Sequence, residues 1–208
     1  MKIVLASGSP RRAKILKDLG VDFEVVKTDA PEVSYPADPE RTVRENALAK
    51  GAAARSVPHS HPSSDRLRGS LRSGDTFPVP HSPLFPVPHS PFPILSADTI
   101  VWFSDRIYGK PRDLEEAKEF LRELAGRVHT VFTGVAFDGE VKVVRSDVKF
   151  RELSEATIEE YVARVRPTDR AGAYDIDESG DLIVESYSGS YENIMGLPVE
   201  PLKEWGIA

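Results

Sequence analysis

The spacing of apolar residues changes period along the chain, and each change marks an element. Residues 2–6 form a short run rich in β-branched side chains. After a turn of small residues, Ile15, Leu16 and Leu19 recur at helical spacing until Gly20. A strand, a turn and a helix are expected, followed by a second strand over 23–28. The helix between them is only long enough for a crossover, so the two strands are expected side by side and parallel. Residues 29–39 are acidic and punctuated by proline, a loop that carries Glu32, and 41–55 are helical by composition, with small residues over 47–54. A strand over 94–103 and a turn at 104–106 come next. Asp113 and Glu116 then have capping-box spacing ahead of the stripe Ala117, Phe120, Leu121 and Leu124. Residues 130–137 and 140–150 flank Asp138-Gly139, the strongest short-range hairpin signal in the chain. An amphipathic helix over 154–165, stopped by Pro167, and a strand over 182–187 complete the pattern, which is that of an α/β protein.

One stretch breaks it. From 56 to 93 proline, histidine and serine dominate, and Pro-Val-Pro-His-Ser-Pro occurs at Pro78 to Pro83 and again at Pro86 to Pro91. Such low complexity packs little apolar surface, so a single domain spanning 1–208 and interrupted by an insertion at about 56–93 is expected, without a second core. His59, His61, His81 and His89 lack acidic partners and a rigid element to fix them, which disfavours a metal site there. Docking of the proline phrases in an aromatic-lined groove stands as a secondary idea beside a tolerated surface expansion.

Composition narrows the function. A net charge of −6 over 208 residues argues against a general binder of nucleic acid or of anionic membranes, so any anion site is small and local. The absence of cysteine excludes disulfides, thiolate metal sites and cysteine nucleophiles, and fits a cytoplasmic location. No apolar run is long enough to cross a bilayer as a helix.

Leu5-Ala6-Ser7-Gly8-Ser9-Pro10-Arg11-Arg12 is the stretch with the clearest chemistry. Ser9 suits the N-cap and Pro10 the first helical position. The free N–H groups and positive dipole end of the helix then face outward beside the hydroxyls of Ser7 and Ser9. Arg11 and Arg12 are misplaced for the dipole but match phosphate oxygens with planar forks. An ordinary capped helix with exposed arginines accounts for the same residues. Asp98, set between apolar runs of one strand, is costly to bury unless it is paired, hydrogen-bonded or metal-bound. Lys50 lies on the more apolar side of its helix, where it either snorkels or reaches an anion pocket. Gly109 and Pro111 bracket Lys110, and small residues at 171–173 permit close approach of a flat ligand or simply tight packing.

Taken in order, Leu5 to Arg12, Ala97-Asp98-Thr99-Ile100-Val101, Gly109-Lys110-Pro111, Ala171-Gly172-Ala173-Tyr174 and Gly189 to Pro198 resemble the Maf family of nucleoside triphosphate pyrophosphatases. The resemblance covers nearly the whole chain outside the insertion. It implies an elongated mixed β-sheet flanked by helices around a central cleft, similar to the inosine triphosphate pyrophosphatases. It also implies a cytoplasmic enzyme, commonly a homodimer, that hydrolyses a nucleoside triphosphate to the monophosphate and pyrophosphate with Mg²⁺ or Mn²⁺. On the same basis Asp98 matches the catalytic carboxylate and proton acceptor, with its role as base or as metal ligand open, and Glu32 falls near the metal. Ser7, Ser9, Arg11, Arg12, Lys50 and Lys110 match phosphate partners, while Arg11, Thr99 and Asp177 match positions tied to substrate choice. The family commonly has glutamine where this chain has Asp177. A carboxylate only accepts hydrogen bonds, so a base edge bearing an amino group would suit it.

Two further functions compete with this one. A house-cleaning pyrophosphatase for modified nucleotides would differ in its substrate panel. A nucleotide-sensing regulator of cell division, with hydrolysis incidental, would not need Asp98. A P-loop phosphotransferase is excluded, since no Gly-Lys-Ser or Gly-Lys-Thr is present.

Overall fold

The computed structural model describes residues 1–57 and 90–208, so the histidines and most of the proline phrases of the insertion lie outside the described residues. Strand β1 (Lys2–Ala6) leads through the turn at 7–9 into α1 (Pro10–Asp18), and β2 (Asp22–Val25) returns parallel to β1, as the short crossover requires. The second strand is shorter than its apolar pattern suggests, and Lys27 and Thr28 beyond it line the cleft described below. Helix α2 (Pro39–Arg55) starts two residues earlier than expected, because Asp38 accepts the Arg41 N–H at 3.0 Å as its N-cap and Pro39 fits the first turn.

Strand β3 (Ile94–Phe103) is the centre of a mixed seven-stranded sheet of order β2-β1-β3-β5-β6-β7, with β4 (Arg106–Tyr108) paired to β3 off that path. Strands β5 (Val128–Phe137) and β6 (Glu140–Phe150) form the expected hairpin. Phe137 faces Glu140, and Asp138 and Gly139 both take positive φ, as a two-residue primed turn demands. Asp138 also gathers the flanks of the insertion. One of its oxygens accepts from Arg55 Nη2 at 2.9 Å and from the Ile94 N–H at 3.0 Å.

Helices α3 (Leu114–Leu124) and α4 (Glu155–Val165) cover one part of the sheet with Phe120, Leu121, Leu124, Ile158, Tyr161 and Val162 buried. The capping box at α3 is displaced by one residue. Asp113 accepts the Glu116 N–H at 2.9 Å, whereas the Glu116 carboxylate takes the N–H of Arg112 rather than of Asp113. The final strand is β7 (Val184–Ser188), two residues later than the pattern predicts because 180–182 wind into a 3₁₀ turn. Short helices α5 (Tyr191–Ile194) and α6 (Val199–Glu204) follow it. No described helix is long and apolar enough to cross a membrane.

The register leaves one opening. Strand β1 pairs with β3 as far as Ser96, and β4 covers the same edge only from Val101 onward. Residues 97–100 are thus uncovered on that edge, beyond the carboxyl end of β1, the place where open α/β sheets take their ligands. Alternation along β3 directs Ser96, Asp98 and Ile100 toward α2, and Ala97, Thr99 and Val101 to the opposite face. Helix α2 lies close because Gly134, opposite Asp98 in the β3–β5 ladder, has no side chain. A Cβ there would stand 2.3 Å from the Val43 carbonyl oxygen.

Candidate active site

The opening forms a cleft of about 820 Å³, within the range of small-molecule sites. Ser7, Ser9, Arg11, Arg12, Glu32, Lys50, Asp98, Thr99 and Lys110 all line it, so nine residues singled out from the sequence converge although they come from five separate segments.

Asp98 is buried, and its two oxygens are held differently. Oδ1 accepts from Lys50 Nζ at 2.5 Å and Oδ2 from Asn46 Nδ2 at 3.0 Å. Asn46 and Lys50 are one helical turn apart on α2 and therefore reach the same carboxylate. Lys50 also pairs with Glu32 at 2.7 Å, so one ammonium bridges two carboxylates. Asn46 further exchanges hydrogen bonds with both backbone groups of Val33, at 2.8 and 3.0 Å, which fastens the acidic loop and brings Glu32 to the cleft. Sequence reasoning missed Asn46. Its role depends on contacts with Val33 and Asp98, far away in the chain, and the spacing along α2 gives no sign of it.

The corner at 7–12 differs from its expected form in one detail. Ser9 occupies the N-cap with extended backbone, yet its hydroxyl makes no cap bond. Instead Ser7 Oγ accepts the Ser9 N–H at 3.2 Å and Arg12 Nη1 at 3.0 Å. Arg12 also donates to Thr99 Oγ1 at 2.9 Å and to the Gly196 carbonyl at 2.7 Å, tying the corner to β3 and to the Gly189 to Pro198 segment. Removal from water pushes its guanidinium down to about 10, with Asp98 pulling the other way, so it stays charged at neutral pH. Among the described residues every hydrogen-bond partner of Arg12 is a neutral oxygen, and no carboxylate pairs with it.

Lys110 lines the cleft with no ion pair among the described residues, and so does Lys27, which sequence reasoning passed over because it sits at a strand end with no motif around it. The Gly109 carbonyl accepts the Gly172 N–H at 3.0 Å, which sets Lys110 beside the small-residue turn. That turn realises tight packing: Gly172 has φ 68°, and a Cβ on it would meet Val101 Cγ2 at 2.6 Å. Tyr174 follows, lining the cleft with its hydroxyl 3.0 Å from His129 Nε2, and burial raises its pKa well above the ordinary phenol value.

Asp177 stands apart from the other candidate residues. It does not line the cleft; its carboxylate accepts from Tyr191 Oη at 3.2 Å and stands 3.8 Å from Lys14 on the outer side of α1. Asp175, two residues earlier, lines the cleft in its stead. Its side chain is 5% exposed and its Oδ2 accepts from Arg170 Nε at 2.9 Å and from Arg11 Nη1 at 3.3 Å. The 3₁₀ turn at 171–173, with positive φ at both Gly172 and Ala173, decides which residue faces inward, and that cannot be counted from a linear motif.

Among the described residues no group of three or more His, Asp or Glu gathers as a ready metal cage. Two carboxylates sharing one cationic group are nevertheless a donor set suited to Mg²⁺, which keeps waters and takes its other ligands from substrate phosphates.

The chain is similar to known proteins over nearly its whole length. The chain is 36% identical over 206 residues to a protein of Bacillus anthracis named dTTP/UTP pyrophosphatase, covering 97% of this chain and 92% of that one. A Thermotoga maritima protein of the same name is 36% identical over 203 residues, covering 96% and 85%. A Bacillus cereus relative, again so named, is 36% identical over 206 residues, covering 97% and 92%. The sequence profile described as Maf-like protein matches residues 2–205, and the chain belongs to that family.

Proposed function

We propose that this protein is a nucleoside triphosphate pyrophosphatase, which cleaves between the α- and β-phosphates to give the monophosphate and pyrophosphate. The observation that carries the reading is Asp98: a buried carboxylate at the uncovered edge of β3, held by Asn46 and Lys50, in a cleft where Arg12, Lys27 and Lys110 present charge that no carboxylate among the described residues pairs with. The relatives' names make dTTP and UTP the first substrates to test. Nucleotides whose base edge bears an amino group, which would suit the Asp177 carboxylate, are the next to test.

In this reading Asp98 accepts the proton of the attacking water, and Asn46 fixes the carboxylate's orientation. Arg12, Lys27 and Lys110 bind the triphosphate and stabilise charge developing on the leaving oxygens, joined by the N–H groups at the start of α1 and the hydroxyls of Ser7 and Ser9. Thr99 orients Arg12. Glu32 and Asp98 would hold Mg²⁺ or Mn²⁺, with Lys50 released toward the phosphates. When bound, such an ion neutralises phosphate charge and orients the leaving pyrophosphate. By family resemblance the enzyme acts as a cytoplasmic homodimer, and the insertion at 56–93 is a tolerated expansion of a single domain. Pyrophosphate release measured across ribo- and deoxyribonucleoside triphosphates, with and without each metal, tests the reading. Release from dTTP or UTP supports it, and no release from any nucleotide with either metal refutes it.

A further inference from the structure

The charges lining the cleft are unevenly distributed. Among the described residues Arg12 bonds only neutral oxygens, and Lys27 and Lys110 have no ion-pair partner. Positive charge is available there for a polyanion. Around Asp175 the balance is reversed. Arg11 pairs with Asp175, and Arg170 pairs with Asp169, Asp175 and Glu178 at 2.8, 2.9 and 2.7 Å. Three carboxylates there face two guanidinium groups, so no cationic charge is left over.

Asp175 is the hinge of this arrangement. Burying a carboxylate is unfavourable unless it is paired and hydrogen-bonded, and this one satisfies both conditions. Oδ2 takes the two arginines, and Oδ1 accepts the Asp177 N–H at 2.9 Å. The backbone is fixed as well, since the Asp175 N–H donates to Tyr161 Oη at 2.8 Å. A rigid buried anion therefore holds one edge of Arg11 next to Tyr174, and among the described residues the other N–H groups of its fork have no hydrogen-bond partner.

We propose that Asp175 neutralises Arg11 and fixes it as a reader of the nucleobase, so that Arg11 is not a ligand of the triphosphate and the base lies against the Arg11–Asp175–Tyr174 wall. Asp175 is then a positioning residue that sets base selectivity through Arg11, the part expected of Asp177. The inference rests on the nucleotide-hydrolysing function above, but its test does not need turnover.

The experiment is calorimetric titration of UMP, CMP and pyrophosphate into the full-length wild type, Asp175→Asn, Arg11→Gln and the double variant. Asp175→Asn is expected to change the UMP to CMP affinity ratio by about tenfold or more while pyrophosphate affinity stays within about twofold. In the Arg11→Gln background the same substitution should shift the ratio by less than about twofold, because the residue through which it acts is gone. An unchanged base ratio, or a loss of pyrophosphate affinity in Arg11→Gln of about tenfold, overturns the proposal by making Arg11 a phosphate ligand. An equal shift in both backgrounds overturns it by showing that Asp175 acts elsewhere. Should Asp175→Asn not fold, Arg11→Lys keeps the charge and removes the fork, and is expected to move the base ratio alone. A wild type that binds UMP and pyrophosphate yet hydrolyses no triphosphate would refute the catalytic reading while leaving this one to be decided by the ratios.

Discussion

Gly134→Ala tests the link between packing and chemistry most directly. The added Cβ would lie 2.3 Å from the Val43 carbonyl oxygen and 3.1 Å from the Arg44 nitrogen, both backbone atoms of α2 that no rotamer change can move. Real Cβ contacts hardly fall below 3.0 Å, so α2 must lift from the sheet by about 0.7 Å. Overpacking of this kind costs about 1–3 kcal/mol. The same helix carries Asn46 and Lys50, whose bonds to Asp98 are 3.0 and 2.5 Å. Carried with the helix, Asn46 passes out of hydrogen-bonding range of a carboxylate that must be held still. A misplacement of about 1 Å lowers turnover on the order of 10²-fold. KM should move far less, since Arg12, Lys27 and Lys110 lie outside α2. Urea unfolding reads the first effect and steady-state pyrophosphate release the second. A variant that is destabilised as stated but keeps kcat within about threefold of wild type refutes the argument that seating of α2 sets the catalytic carboxylate.

Other substitutions probe single parts. Asp98→Asn should abolish pyrophosphate release while leaving nucleotide binding measurable by titration; near-normal turnover would remove Asp98 from its role. Asn46→Ala is expected to lower kcat by about 10- to 100-fold and to expose the 29–38 loop to proteolysis, because it frees both Asp98 and Val33; intact kcat with a cleavable loop would confine Asn46 to the loop. His129 is buried, and desolvation pushes its pKa down to about 3 from an ordinary 6.5. Between those values the unfolded chain takes up a proton that the folded one refuses, so this group makes stability fall as pH drops below 6.5, by about 1.4 kcal/mol per unit, and has no effect above it. His129→Gln should flatten urea midpoints between pH 6.5 and 4.5 relative to wild type, and parallel profiles would contradict this. Replacing 58–89 by a short Gly-Ser linker should leave the melting temperature and kcat/KM near wild type; loss of either would show that the segment is part of the working fold.

Features governed by local chemistry were readable in the amino-acid order. Asp138-Gly139 forms its hairpin, Pro10 and Pro39 open helices, and Asp98 betrays itself as a charge inside an apolar strand. Those that depend on distant partners were not. Asn46 matters because it spans from Val33 to Asp98, and no property of α2 alone announces that. Asp175 displaces Asp177 from the cleft because two consecutive residues at positive φ redirect the chain, one of them an alanine that ordinarily avoids that region. Arg12 was expected simply as a phosphate ligand, yet it also cross-links β3 to the segment before α6.

Asp138 gives the fold a property unrelated to catalysis. Because one carboxylate oxygen receives both the last side chain of α2 and the first N–H of β3, the chain leaving the helix and the chain entering the strand are anchored to the same turn. That anchor lies four residues upstream of Asp98, about 13 Å along the strand. Closing a longer loop between anchored ends adds only a logarithmic entropy, about 0.6 kcal/mol for each doubling of its length. This position is therefore a graft point, where sequence can be gained, lost or exchanged for a reporter or binding peptide while the cleft keeps its shape.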